Sequence, residues 1–197
     1  MSEQTTRDAK LIQYLNEAYG KEKELELALE AHIALTTRMP YKKRLREHLT
    51  ETKRHGRELA KRIRRLGGHA GPLPQAAPDA LAGAAEKAQA VASKGLAAAK
   101  GPLHAVRGTG ENEKMLKNAK TEYFSEHEEI ATYTAIETFA EAVGDAETAK
   151  LARTIRRDEE RMARFLERQI STLARAVATE EVPARERRGS GAKRRAA

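Results

Sequence analysis

The sequence predicts an all-α fold, a bundle of four long helices built from two helical hairpins joined by one long connection. Three observations carry this expectation. Prolines stand only at 40, 72, 74, 78, 102 and 183, leaving long blocks that can be helical, because proline inside a helix removes a donor and clashes with the preceding turn. Within those blocks apolar residues recur at helical spacing. The middle of the chain, "HAGPLPQAAPDALAGAAEKAQAVASKGLAAAKGPLHAVRGTG", is instead rich in Ala and Gly and has no aromatic residue, which marks a connection rather than a core element. Nothing in the pattern suggests strands.

The first block runs to about Met39, and Leu11, Leu15, Glu22, Leu29 and Ile33 fall within roughly 20° of one line along it. The second opens at "PYKKRLREHL", where Pro40 suits a first helical position, and stops at "LGG", where glycine supplies a left-handed cap. Its stripe is Leu45, His48, Leu49, Thr52, His55, Leu59, Ile63 and Leu66, with Glu51 at the margin. The third extends from "ENEKMLK" to "EAVGDAETAK"; Gly144 ends it and Asp145 can cap the next helix. That last helix is expected from about Ala146 to Ala178, with Leu151, Ile155, Glu159, Met162, Leu166, Ile170 and Leu173 on its inner arc.

Between the hairpins one extra Ala-rich helix is expected near Pro78 to Lys100, inside a crossover insert of about 69–110. An alanine face buries little area, so this helix should dock weakly. A membrane-surface helix would need larger apolar residues than Leu81, Val91 and Leu96. Two hairpins and one long crossover are the ferritin-like topology, here filling residues 1–179. Residues 180–197 read as a disordered basic tail.

Composition excludes several chemistries. The chain has no Cys, hence no disulfide framework, no thiolate metal site and no thiol nucleophile. Metal ligands would have to be His and carboxylate. No apolar run approaches about 18 residues, and "MSEQTTRDAK" lacks a signal-peptide core, so a soluble, cytoplasmic protein with no membrane partner is expected. The net charge is +8, and most of it sits in the tail at Arg185, Arg187, Arg188, Lys193, Arg194 and Arg195. Without an aromatic to stack on bases, that segment offers nucleic acid only a nonspecific attraction to phosphate.

The informative residues are carboxylates on apolar faces. Glu22 stands in the middle of the first stripe and Glu159 inside the fourth. Along the third block, through "EYFSEHEEIATYTAIE" and the turn before it, Ala119, Glu126, Ile130, Tyr133 and Glu137 share an arc of roughly 60°. The separation from Glu22 to His55 equals that from Glu126 to Glu159, 33 residues. A pseudo-repeat of two hairpins would therefore bring these four groups to similar depth. Buried, unpaired carboxylates cost several kcal/mol each, and no Lys or Arg lies on the same stripes. A shared divalent cation would resolve the cost, and carboxylates with His suit iron, manganese or zinc. Protonated Glu side chains hydrogen-bonded to Tyr133, Tyr19 or Thr52 are the alternative. His32, His69 and His104 lie outside the stripes.

At "EHLTETKRHGREL" and "SEHEEIATY" the sequence resembles the YciF-like family of ferritin-like proteins, a stress-associated bacterial group carrying a domain of unknown function. The likeness covers both hairpins and omits the crossover and tail. It implies a rubrerythrin-like bundle, often dimeric, with Glu22, Glu51, Glu126, Glu129 and Glu159 where relatives carry candidate metal ligands. Glu-x-x-His pairs, which supply ligands in well-known dimetal bundles, are absent from this sequence. Two functions follow as expectations. One is a metal-binding stress protein, iron foremost, with His55 joining the five carboxylates and ferroxidase-like or peroxide-reactive chemistry left open. The other is a non-catalytic helical scaffold or a nucleoid-associated protein acting through the tail. Phe124 and Phe139, pointing away from the expected core, are candidates for a homodimer surface.

Overall fold

Thr5 opens the first helix, its Oγ1 accepting from the Asp8 N–H at 3.1 Å, and α1 then runs Thr6–Leu35. After a three-residue turn α2 spans Met39–Arg65 with Pro40 in its first turn. The expected stop at "LGG" is present: Gly67 has φ 83° and the Gly68 N–H returns to the Ile63 carbonyl at 2.9 Å. The second hairpin is α3, Glu111–Ala142, and α4, Ala146–Glu181. Gly144 breaks between them at φ 73°, and Asp145 caps α4 by accepting from the Thr148 N–H at 3.0 Å. The computed structural model describes residues 5–71 and 110–187. The expected crossover helix and Arg188, Lys193, Arg194 and Arg195 lie outside the described residues; Arg185 and Arg187 are described and exposed. Among the described residues there is no strand, and no helix is long and apolar enough to cross a membrane.

α1 borders α2 and α3, and α4 borders the same two. Leu11 packs near Ala140 while Leu29 packs near Met115 and Ala119, so α1 and α3 run antiparallel. Arg62 reaches Asp145 at one end of α2 and Leu45 meets Leu166 towards the other, which makes α2 and α4 antiparallel too. The end of α2 and the start of α3 therefore lie at opposite ends of the bundle. The departure of the connection is tied to α1, where the Gly71 N–H donates to Asn16 Oδ1 at 3.1 Å. Its return is tied to the opposite end, where Arg38 donates to Asn112 at 2.9 Å.

The buried positions repeat in alternating steps of four and three. On α3 they are Met115, Ala119, Glu122, Glu126, Glu129, Tyr133, Ile136 and Ala140, and α1 repeats the rhythm through Leu11, Leu15, Ala18, Glu22, Leu25 and Leu29. This is the heptad register of nearly aligned, supercoiled helices, which drifts by about 20° per heptad from a straight 3.6-residue arc. The drift corrects the arc read from sequence on α3. Ile130 is only half-buried, and Glu137 lies outside the core, paired with Arg153 at 2.6 Å and Arg156 at 3.0 Å on α4. Glu122 and Glu129 take the inner positions instead. Phe139 is also corrected: it is half-buried and packs edge-on against Tyr14 at 5.3 Å. Phe124 does point outward, 72% exposed.

Two apolar layers result. Leu25, Leu29, Tyr41, Leu45, Met115, Met162 and Leu166 fill one half of the bundle, and Leu15, Leu59, Ile63, Tyr133, Ile136 and Ile155 fill the other. Between them lies a buried polar layer.

Candidate metal centre

The heptad register turns Glu22, His48, His55, Glu126, Glu129 and Glu159 into that layer, and each is buried. α1 contributes Glu22, α2 both imidazoles, α3 Glu126 and Glu129, and α4 Glu159. His48 and His55 are two helical turns apart, so one helix presents both rings inward. The His48 side chain reaches α3 across the diagonal of the bundle, its Nε2 lying 3.1 Å from Glu126 Oε1.

Two groups form within the layer. Glu22, His55 and Glu159 each offer one ligand-type atom, all within 4.8 Å of one another, and His48, Glu126 and Glu159 do the same. Glu159 belongs to both. Its Oε1 is 3.0 Å from His55 Nδ1 and its Oε2 is 3.5 Å from His48 Nε2. The equal spacing in sequence is realised here: Glu22 and His55 fall in one group, Glu126 and Glu159 in the other.

Hydrogen bonding leaves much of this layer unsatisfied. Tyr133 donates to Glu22 Oε1 and His55 Nδ1 stands 3.0 Å from Glu159 Oε1, but Glu22 Oε2, Glu126 Oε2, Glu159 Oε2 and both oxygens of Glu129 are buried without a hydrogen-bond partner. Native interiors pair nearly all buried polar atoms, and this concentration at one depth is compatible with a bound cation.

The ionisation pattern follows from the same crowding. Burial pushes Glu126 up to about 8 against the pull of His48. Glu129 is raised well above the carboxyl range by burial and then by the charges of Glu159, Glu22 and Glu126. Glu22 is raised by burial despite His55 and Tyr133. Glu159 alone among these carboxylates is lowered, because the His55 hydrogen bond and the charges of His48 and His55 outweigh its burial. Burial opposes the charge on both imidazoles, yet Glu126 lifts His48 well above the usual value, and Glu159 with Glu22 lifts His55 to about 10. The layer retains protons at neutral pH.

Of the residues expected from sequence, the structure brings Glu22, His55, Glu126, Glu129 and Glu159 together. It does not bring Glu51 among them. Glu51 lies outside the layer, its Oε2 against His48 Nδ1 at 3.2 Å and accepting from Arg44 at 3.0 Å. Burial opposes its ionisation, but His48 and Arg44 hold it down to about 2. His48 is the residue that the stripe contained and the site assignment left out; its seven-residue spacing from His55 was the available signal. Asp158 was not foreseen. It sits beside His55 Nε2 at 3.0 Å, and only the packing of α4 on α2 reveals it. His32, given no role, stands 2.6 Å from buried Glu122, which also accepts from Tyr41 at 2.6 Å.

A groove of about 160 Å³ between α1 and α3 is lined by Lys21, Glu24, Leu25, Ala28, Ser125, Glu128 and Glu129.

Four carboxylates and two imidazoles make up the donor set that dimetal ferritin-like bundles assemble from a Glu on each of two helices and a Glu-x-x-His on the other two. Here the composition is reached differently, with both His on α2 and two Glu on α3, which accounts for the missing tetrads. By overall structure the chain is similar to a protein of Xanthomonas campestris pv. campestris, at 23% identity and TM-score 0.65, covering 89% of this chain and 99% of that one. It is also similar to YcfI of Rhodopseudomonas palustris, at 20% identity and TM-score 0.61, covering 84% and 96%. The Desulfovibrio desulfuricans bacterioferritin, described with a diiron site, matches at 18% identity and TM-score 0.64, covering 91% and 89%. At these identities the likeness concerns the fold, a ferritin-like bundle. No curated protein matches the chain in sequence. The chain belongs to the family described as Domain of unknown function (DUF892), which matches residues 6–179.

Proposed function

We propose that this protein is a ferritin-like metal-binding protein that holds two divalent cations, iron foremost, in the polar layer of its bundle. The observation that carries the reading is the set of buried carboxylate oxygens without partners, lying around two His-containing groups that share Glu159. Glu22 and His55 would hold one ion, His48 and Glu126 the other, with Glu159 common to both and Glu129 completing the shell. Oxygen and imidazole donors favour iron, manganese and zinc over softer ions. Bound iron would supply one-electron chemistry towards oxygen or peroxide, in keeping with the stress association of the family that the sequence resembles. The chain's own part is to exclude water with its two apolar layers and to hold the carboxylates at fixed depth. Tyr133 would steady Glu22 through its hydrogen bond.

The protons that the layer retains support a second reading, a metal-free scaffold in which the acids stay neutral. Metal content after purification without chelators separates the two. The metal reading expects bound ion in the wild type, and loss of both the ion and its stabilisation in Glu22→Gln with Glu126→Gln. A metal-free wild type whose melting ignores added iron, manganese and zinc would leave only the scaffold.

A further inference from the structure

Each inward-facing imidazole is held from behind by a carboxylate that is itself held by arginine. Behind His48 stands Glu51, 3.2 Å from Nδ1, with Arg44 donating to the same Glu51 oxygen at 3.0 Å. Behind His55 stands Asp158, 3.0 Å from Nε2. Arg54 donates to that Asp158 oxygen and Arg161 to the other; Arg54 also lies 3.2 Å from His55 Nε2. Ion pairing with arginine keeps both carboxylates ionised, and an ionised carboxylate is only an acceptor. When the rings are neutral, as an imidazole that binds an ion must be, the hydrogen left on His48 therefore sits on Nδ1 and that on His55 on Nε2. The two rings thus turn opposite nitrogens towards the layer. His48 presents Nε2, 3.1 Å from Glu126, whereas His55 presents Nδ1, 3.0 Å from Glu159 and 3.4 Å from Glu22.

We infer that Glu51 and Asp158 are positioning residues that fix which nitrogen each imidazole offers, His48 through Nε2 and His55 through Nδ1, so that the two ion positions are chemically unequal and separately tunable. The inference rests on the metal reading of the layer. Hydrogen bonding to the far nitrogen locks ring orientation and raises ligand basicity, and loss of such a partner typically weakens metal binding by about 10–100-fold. Because Glu51 touches only the His48 ring and Asp158 only the His55 ring among the two, each should act on one ion. This also gives Glu51, expected from sequence to be a ligand, a place behind a ligand.

The test uses the full chain with ring-labelled histidine, zinc as the probe ion, and the variants Glu51→Gln and Asp158→Asn. Carbon and nitrogen shifts of the imidazoles report which nitrogen carries hydrogen and which carries zinc. In the wild type the expected result is zinc on Nε2 of His48 and on Nδ1 of His55, with two separable affinities. Glu51→Gln should weaken one affinity by about 10–100-fold and Asp158→Asn the other, each disturbing only the ring it backs. In metal-free protein the N–H that faces the backing carboxylate, on Nδ1 of His48 and Nε2 of His55, should lose the shift of its hydrogen bond only in the variant that removes that carboxylate. A wild type that binds two zinc ions while the variants bind equally well with unchanged ring signals would overturn the positioning role and leave the metal centre standing. A wild type that takes no zinc would remove the metal centre, and ring N–H shifts unchanged in both variants would remove the positioning role as well.

Discussion

Replacing Glu129 by Met should stabilise the metal-free protein while weakening its response to metal. Glu129 is 4% exposed, and neither of its oxygens has a hydrogen-bond partner. Met has a similar length and a helix propensity close to that of Glu, and its thioether carries no strong acceptor to leave unsatisfied. Each unsatisfied buried acceptor costs about 1–3 kcal/mol. Protonation of the carboxyl already relieves part of this, so the net gain should be about 1–3 kcal/mol rather than the full cost of two acceptors. At about 2–4 °C per kcal/mol for a chain of this size, the metal-free melting temperature should rise by about 2–12 °C. Wild-type protein at a free ion concentration about 100 times its Kd should gain about 2.7 kcal/mol per ion by mass action, and the variant should gain less. Thermal melts followed by circular dichroism, with chelator and then with zinc or manganese, measure both quantities. A variant that melts lower than wild type without metal would show that Glu129 is satisfied in a way the contacts do not reveal. An undiminished metal shift would remove Glu129 from the centre.

The remaining expectations concern pH, the connection and the tail. Glu126 keeps its proton up to about 8, against 4.5 for the free group, so the native state binds more protons than the unfolded chain across that window and metal-free stability should fall as pH rises through it. Ion binding releases those protons, so the zinc-induced melting shift should be larger near pH 8 than near pH 6; an equal shift at both would contradict the protonation pattern. The stretch of α1 from Asn16, where the connection departs, to Thr36 is about 30 Å long. A Gly/Ser linker of about 30 residues in place of 72–109 should preserve cooperative melting, whereas one of about five residues, reaching at most about 18 Å, should not; a five-residue variant that folds as a monomer would refute the path. Removing 185–197 should abolish retention on DNA at low salt, since only phosphate attraction is available to that segment; unchanged retention would place binding elsewhere.

Sequence by itself determined the helices and the presence of acids inside them. Proline placement, glycine at Gly67 and Gly144, and the Asp145 cap act within a few residues, so the boundaries of α2, α3 and α4 could be read locally. The same holds for Glu22, Glu126 and Glu159, which lie so near the centre of their stripes that no plausible rotation of the helix exposes them. Tertiary structure decided what depends on a neighbour. Supercoiling of the four helices moved the inner face of α3 from Glu137 to Glu122 and Glu129, a shift that a straight helix does not predict. The place of Phe139 was set by Tyr14 on α1. His48 and Glu51, three residues apart on one helix, differ in role because α3 and α4 present carboxylates to one side of the imidazole while Arg44 holds Glu51 on the other. Asp158 matters only because α4 lies against α2. Local chemistry dictates which residues turn inward; the partner across the helix interface dictates which atom of each is offered.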